Sequence, residues 1–109
     1  MKEASFALYA RGGWCPKVDV YRCADGWLVK LELAGVAEQD LRIQLQHDSL
    51  VVEGQRRDWC VSDIREPLSM EIAYDCFRRS IRLPGAIESV DLHTEYRDGM
   101  LLIRLHNKR

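Results

Sequence analysis

Thr94-Glu95-Tyr96-Arg97-Asp98-Gly99-Met100-Leu101 is the stretch whose reading decides the fold class. In the residues leading into it, Val90, Leu92, Thr94 and Tyr96 share one parity while Asp91, His93, Glu95 and Arg97 share the other. That two-residue period is the mark of a strand with one buried face. Asp98-Gly99 joins two residue types that tolerate positive φ, and Leu101, Ile103 and Leu105 then resume the alternation against Arg104 and His106. Strand, tight turn and second strand together predict a β-hairpin.

The same alternation recurs toward the N-terminus, with turn chemistry between the runs. Pro16 opens Lys17-Val18-Asp19-Val20-Tyr21, and Ala24-Asp25-Gly26 turns the chain. Trp27, Val29, Leu31 and Leu33 then share a face across from Lys30 and Glu32, and Gly35 ends that run. Leu41, Ile43 and Leu45 alternate with Arg42, Gln44 and Gln46, His47-Asp48 turns, and the β-branched-rich run to Glu53 stops at Gly54. Phe77, Arg79, Ile81 and Leu83 alternate with Arg78, Ser80 and Arg82 before Pro84-Gly85. Seven or eight short strands and no long helical pattern predict an all-β, immunoglobulin-like sandwich of two antiparallel sheets.

Length and composition bound the rest. The chain of 109 residues has room for one domain, and its 47% hydrophobic and 30% charged residues suit an ordinary globular protein. A formal net charge of -1 gives no pull toward nucleic acid or membrane, and no apolar run nears the ~20 residues of a membrane-spanning helix. Residues 1–14 read as a short arm, 15–106 as the domain and 107–109 as its end. The arm lacks the apolar core of a secretion signal, so a cytoplasmic location is expected.

Chemistry is sparse. No serine sits in an elbow-like motif, no phosphate-binding glycine run occurs, and His47, His93 and His106 fall in strand or turn patterns, so no enzymatic activity and no cofactor are expected. Cys15, Cys23, Cys60 and Cys76 show no C-x-x-C spacing. They fit free thiols in a reducing compartment, with a zinc site or a redox-sensing disulfide as the alternatives.

Two features carry physical tension. The polar-rich, weakly periodic residues 55–70 are long for a connection within a compact domain, and such loops are usually functional or mobile. Arg79 shares the parity of Phe77, Ile81 and Leu83, so its charge needs a partner. It either reaches solvent at a sheet edge or pairs across a subunit interface.

Six motifs in order, from Trp14 to Leu105, resemble the alpha-crystallin domain of small heat shock proteins. Trp14-x-Pro16-x-Val18-Asp19-Val20-Tyr21 is similar to the family's opening strand and Leu33-Ala34-Gly35-Val36 to its Leu-Pro-Gly-Val turn. Asp40-Leu41-x-Ile43, Leu50-Val51-Val52-Glu53-Gly54-Gln55-Arg56 and Phe77-x-Arg79-Ser80-Ile81-x-Leu83-Pro84 follow. The opening hairpin matches A-x-x-x-N/D-G-V-L at Asp98, Gly99 and Leu101, departing at Thr94 and Met100.

The resemblance implies an ATP-independent holdase that covers partly unfolded proteins. It implies a dimer interface at Arg79 and at a strand, Leu68, Met70, Glu71 and Ile72, that the long loop exchanges onto the partner's sheet edge. It further implies a groove for a neighbour's tail or a client, lined by Leu41, Ile43, Leu45, Val90 and Leu92. Ile72 and Asp75 depart from the residues many relatives carry there, and Pro67 cannot donate a ladder hydrogen bond. A short arm and the absence of a C-terminal I-x-I pattern predict a homodimer or small oligomer, or co-assembly with a longer small heat shock protein. A p23-like CS-domain co-chaperone and a non-chaperone β-sandwich adaptor are the alternative readings.

Overall fold

A computed structural model describes residues 14–59, 61–84 and 90–108. Its strands are β1 (Val18–Cys23), β2 (Gly26–Glu32), β3 (Arg42–Gln46), β4 (Ser49–Gln55), β5 (Cys76–Arg82), β6 (Val90–Arg97) and β7 (Met100–Asn107). They form two antiparallel sheets with strand orders β1-β2-β7-β6 and β3-β4-β5. The expected all-β sandwich is what the chain adopts, and a 3₁₀ turn at Glu38–Asp40 is its one helical piece among the described residues.

The parity sets predicted for β2, β7 and, Arg79 aside, β5 build the core together with Leu50 and Val52 of β4. Val29, Leu31, Leu33, Leu50, Val52, Phe77, Leu83, Ile103 and Leu105 are all essentially inaccessible to water. Within the second sheet the packing is tight at Gly54, where a Cβ would lie 2.7 Å from the Asp40 carbonyl oxygen and 2.9 Å from the Phe77 ring. Phe77 in turn meets Trp14 edge to face, with ring centroids 5.3 Å apart. Trp14 thereby closes the core from the N-terminal side.

The β6–β7 hairpin turns through Asp98 at φ 54° and Gly99 at φ 79°, with Arg97 opposite Met100. Both central residues are left-handed, as the twist of a two-residue hairpin requires. The turn is docked: Leu33 N–H donates to the Gly99 carbonyl at 2.7 Å. The Tyr96 hydroxyl shares its proton between the Leu33 and Val36 carbonyls, each at 2.7 Å. One hydroxyl thus clasps the connection that leads from the first sheet to the second.

Burial raises the Tyr96 phenol above its ordinary value of 10.0, and the nearby Glu38 charge adds to the effect. The fold therefore favours the neutral phenol, and the stability linked to it is complete below pH 10 and declines as pH rises through the raised value. Tyr96→Phe is expected to cost about 1 kcal/mol in urea unfolding at neutral pH. The variant should also lose part of the alkaline decline seen in the wild type. An unchanged unfolding midpoint would mean that the clasp carries no energy.

The structure departs from the periodic reading at two edges. On β6 only Val90 is buried and Tyr96 half-buried, while Leu92 and Thr94 of the same parity are exposed. Among the described residues β6 is the last strand of its sheet and β3 of the other, and no described strand lies beyond them to cover these positions. Arg79 is half-buried in the row of Val52 and Ile43, on edge strand β5. An edge position lets its guanidinium leave the core.

Candidate interaction surfaces

The first surface lies where the N-terminal segment meets β5. Arg79 donates to the Pro16 carbonyl at 2.6 Å and lies 3.8 Å from Cys15 Sγ. The Arg79 charge is thus met within its own chain by a carbonyl dipole, beside the start of β1. Among the described residues β1 pairs only with β2 and its other edge is open, with Val20 and Tyr21 exposed. An open edge is a row of unpaired backbone donors and acceptors. Sequence reading did not single out Val20 and Tyr21, although a short alternating strand just after a proline is the kind of signal that marks an edge.

The second surface is the long connection between β4 and β5. Arg56 N–H donates to the Asp75 carbonyl at 3.0 Å and Arg56 Nε to the Ala73 carbonyl at 2.9 Å, so the two ends of the loop are pinned together. Arg57 pairs with Asp40 at 3.1 Å at the same base. Beyond that base, no hydrogen bond or ion pair among the described residues ties residues 64–72 to the sandwich. Leu68 is 90% exposed, and Met70, Glu71 and Ile72 stand in solvent with it. In a single chain this segment forms no strand, and the structure does not bring it against Arg79.

The third surface comprises edge strands β3 and β6, each the last strand of its sheet among the described residues. Leu41 and Ile43 are half-buried and pack on the core, whereas Val90 is buried within it. Leu45 on β3 and Leu92 on β6 are 37% and 38% exposed. Of the residues assigned to a groove, these two are the most open.

No cluster of three or more His, Cys, Asp and Glu side chains able to hold a metal occurs among the described residues. Cys15 and Cys23 are exposed, Cys76 is half-buried, and all three are free thiols. Cys60 lies outside the described residues. No described helix is long and apolar enough to cross a membrane.

On the outer face of the second sheet, Glu53 lies 3.7 Å from Arg42 and 3.6 Å from Arg78, its register partners on β3 and β5. This cross-strand ion ladder leaves that face highly polar. The apolar exposure of the molecule is concentrated on the loop and the two edge regions.

Comparison with known proteins adds an independent line. The profile of the Hsp20/alpha crystallin family matches residues 19–109. Small heat shock protein C2 of Rickettsia felis is 26% identical over 93 residues, covering 85% of this chain and 60% of that protein. The probable 15 kDa heat shock protein of Leptospira interrogans is 26% identical over 95 residues, covering 86% and 71%. The chain thus spans about 60% of the length of the Rickettsia relative. Heat shock protein 16.0 from Schizosaccharomyces pombe shares the fold with a TM-score of 0.74 at 22% identity, over 86% of this chain and 87% of that one. HspA from Xanthomonas axonopodis does so with a TM-score of 0.71 at 23% identity, over 89% and 97%.

Proposed function

The chain belongs to the Hsp20/alpha crystallin family, and on that premise we propose that it is an ATP-independent holdase that works as a dimer or small oligomer. The observation that carries this reading is the loop: Trp59, Val61, Ile64, Leu68, Met70 and Ile72 are all exposed on one connection of an otherwise complete sandwich. Monomeric proteins seldom leave so much contiguous apolar surface in water. Partly unfolded chains present the complementary surface, and covering it reversibly limits aggregation without any chemical step.

The dimer is proposed on the same residues. Among the described residues the open edge of β1 lacks a strand on one side, and Leu68-Ser69-Met70-Glu71-Ile72 is a segment of alternating apolar and polar residues without a sheet of its own. Adding the segment of one chain to the β1 edge of another satisfies both, places Arg79 beside the joint, and removes an aggregation-prone edge. A groove between β3 and β6, supported by the exposure of Leu45 and Leu92 on those edge strands, would offer a second place for an extended apolar strand. Unfolded clients and a second copy of this chain, or of a longer relative, are the partners.

Light scattering from several unrelated proteins held at a denaturing temperature tests the activity. An equimolar amount of this protein should at least halve the scattering, equally with and without ATP. Failure on every client, or a requirement for ATP, would sink the holdase reading and favour a co-chaperone or adaptor of one folded partner.

A further inference from the structure

We propose that the pocket between the β4–β5 loop and the Ala34-Gly35 turn reads an acidic residue flanking the apolar segment of a bound client. This inference rests on the holdase reading and specifies part of what is held. The pocket has a volume of about 470 Å³ and is lined by Gly35, Arg56, Asp58, Trp59, Val61, Ile72 and Tyr74 among others. Its walls are continuous with the exposed apolar residues of the loop, since Trp59, Val61 and Ile72 belong to both.

Arg56 supplies the polar element. A guanidinium has five N–H donors. Nε serves the Ala73 carbonyl at 2.9 Å and one Nη1 proton serves the Ala34 carbonyl at 3.2 Å, which leaves three without a partner among the described residues. The plane of the group rests on Trp14, its central carbon 3.7 Å from the ring centroid. The cation is therefore fixed in place from two sides and still has a fork of donors to offer. No carboxylate answers it: Arg57 occupies Asp40, and Asp58 pairs with neither arginine among the described residues.

A positioned guanidinium binds a carboxylate through paired, charge-assisted hydrogen bonds. Beside it, an apolar wall accepts an aromatic or branched side chain. The occupant that carries both groups at that spacing is an extended polypeptide with Asp or Glu next to an apolar run. Proteins commonly flank aggregation-prone segments with charged residues, so this chemistry distinguishes acidic flanks from basic ones. A small organic anion fits less well, because pockets for such ligands usually enclose most of the ligand's surface and this one opens to solvent along the loop.

The test uses the full chain and three dye-labelled peptides of alternating Val and Phe that differ at one flanking residue, Glu, Gln or Lys, read by fluorescence anisotropy. The Glu peptide should bind about 3- to 10-fold tighter than the Lys peptide, with Gln between. Arg56→Gln should bring the Glu-to-Lys ratio to near one and Arg56→Lys should keep most of it. Because Arg56 also pins the loop, Val61→Asp provides a second variant that adds a second carboxylate to a wall already carrying Asp58 and leaves the pinning groups intact. It should abolish or reverse the preference.

Equal affinity for all three peptides in the wild type, or a preference that survives both Arg56→Gln and Val61→Asp in folded protein, overturns the inference and leaves the holdase reading standing. Binding of no peptide, together with no suppression of aggregation, overturns both.

Discussion

Phe77→Ala is expected to destabilise the fold by about 3–5 kcal/mol, the range for removing a buried aromatic ring and leaving its cavity. Phe77 has no exposed surface, covers Gly54 across the strand pair, and packs edge to face with Trp14. The neighbours cannot collapse into the space cheaply, because the nearest of them on β4 is a glycine with no side chain to extend. Trp14 would lose its support and with it the platform for Arg56, so the base of the long loop should loosen as the core weakens. Calorimetry should show a melting temperature lower by about 15 °C or more. A loss under about 1 kcal/mol would mean that the ring is not the centre of this core.

The second large effect is expected at the loop, and it should fall on association rather than on folding. Replacing Leu68, Met70 and Ile72 together by Ser removes three apolar side chains that lie in solvent in the single chain. Folding stability should therefore change by less than about 1 kcal/mol, as for other exposed positions. If those side chains become buried against the β1 edge of a partner, each contributes about 1.5–3 kcal/mol. Their joint loss is roughly 4–9 kcal/mol, or at least about 10³-fold in the dimer Kd. Sedimentation should then give half the wild-type mass at micromolar concentration. A wild-type monomer, or a variant that stays dimeric, removes this segment from the interface.

The contrast between these two predictions follows from what periodicity can and cannot say. Val29, Leu31, Ile103 and Leu105 lie on central strands β2 and β7, where strict alternation means burial because a neighbour exists on both sides. Leu92 and Leu45 obey the same alternation yet face solvent, because alternation reports which face a residue is on and not whether that face is covered. Arg79 is the same lesson with a charge. Its parity placed it in the core, and only the edge position of β5 and the nearby Pro16 carbonyl explain how the guanidinium is accommodated.

The loop was visible as an anomaly of length and polarity between Gln55 and Met70, and the residues assigned to exchange fall on its exposed part. The pocket at Arg56 was not visible. It brings together Gly35, Arg56, Val61 and Ile72, which are separated by up to 37 positions in the chain and share no motif.

Sequence alone therefore determined the strand set, the Asp98-Gly99 turn, the inward parity of the central strands and the family to which the motifs point. These are local properties, set by residue period and by which residues tolerate positive φ. The tertiary structure decided which strands are edges, where Arg79 finds its acceptor, that Tyr96 clasps the Leu33 and Val36 carbonyls, and that Arg56 keeps donors free beside an apolar wall. Those depend on distances between residues far apart in the chain, and such distances come into being only when the two sheets pack.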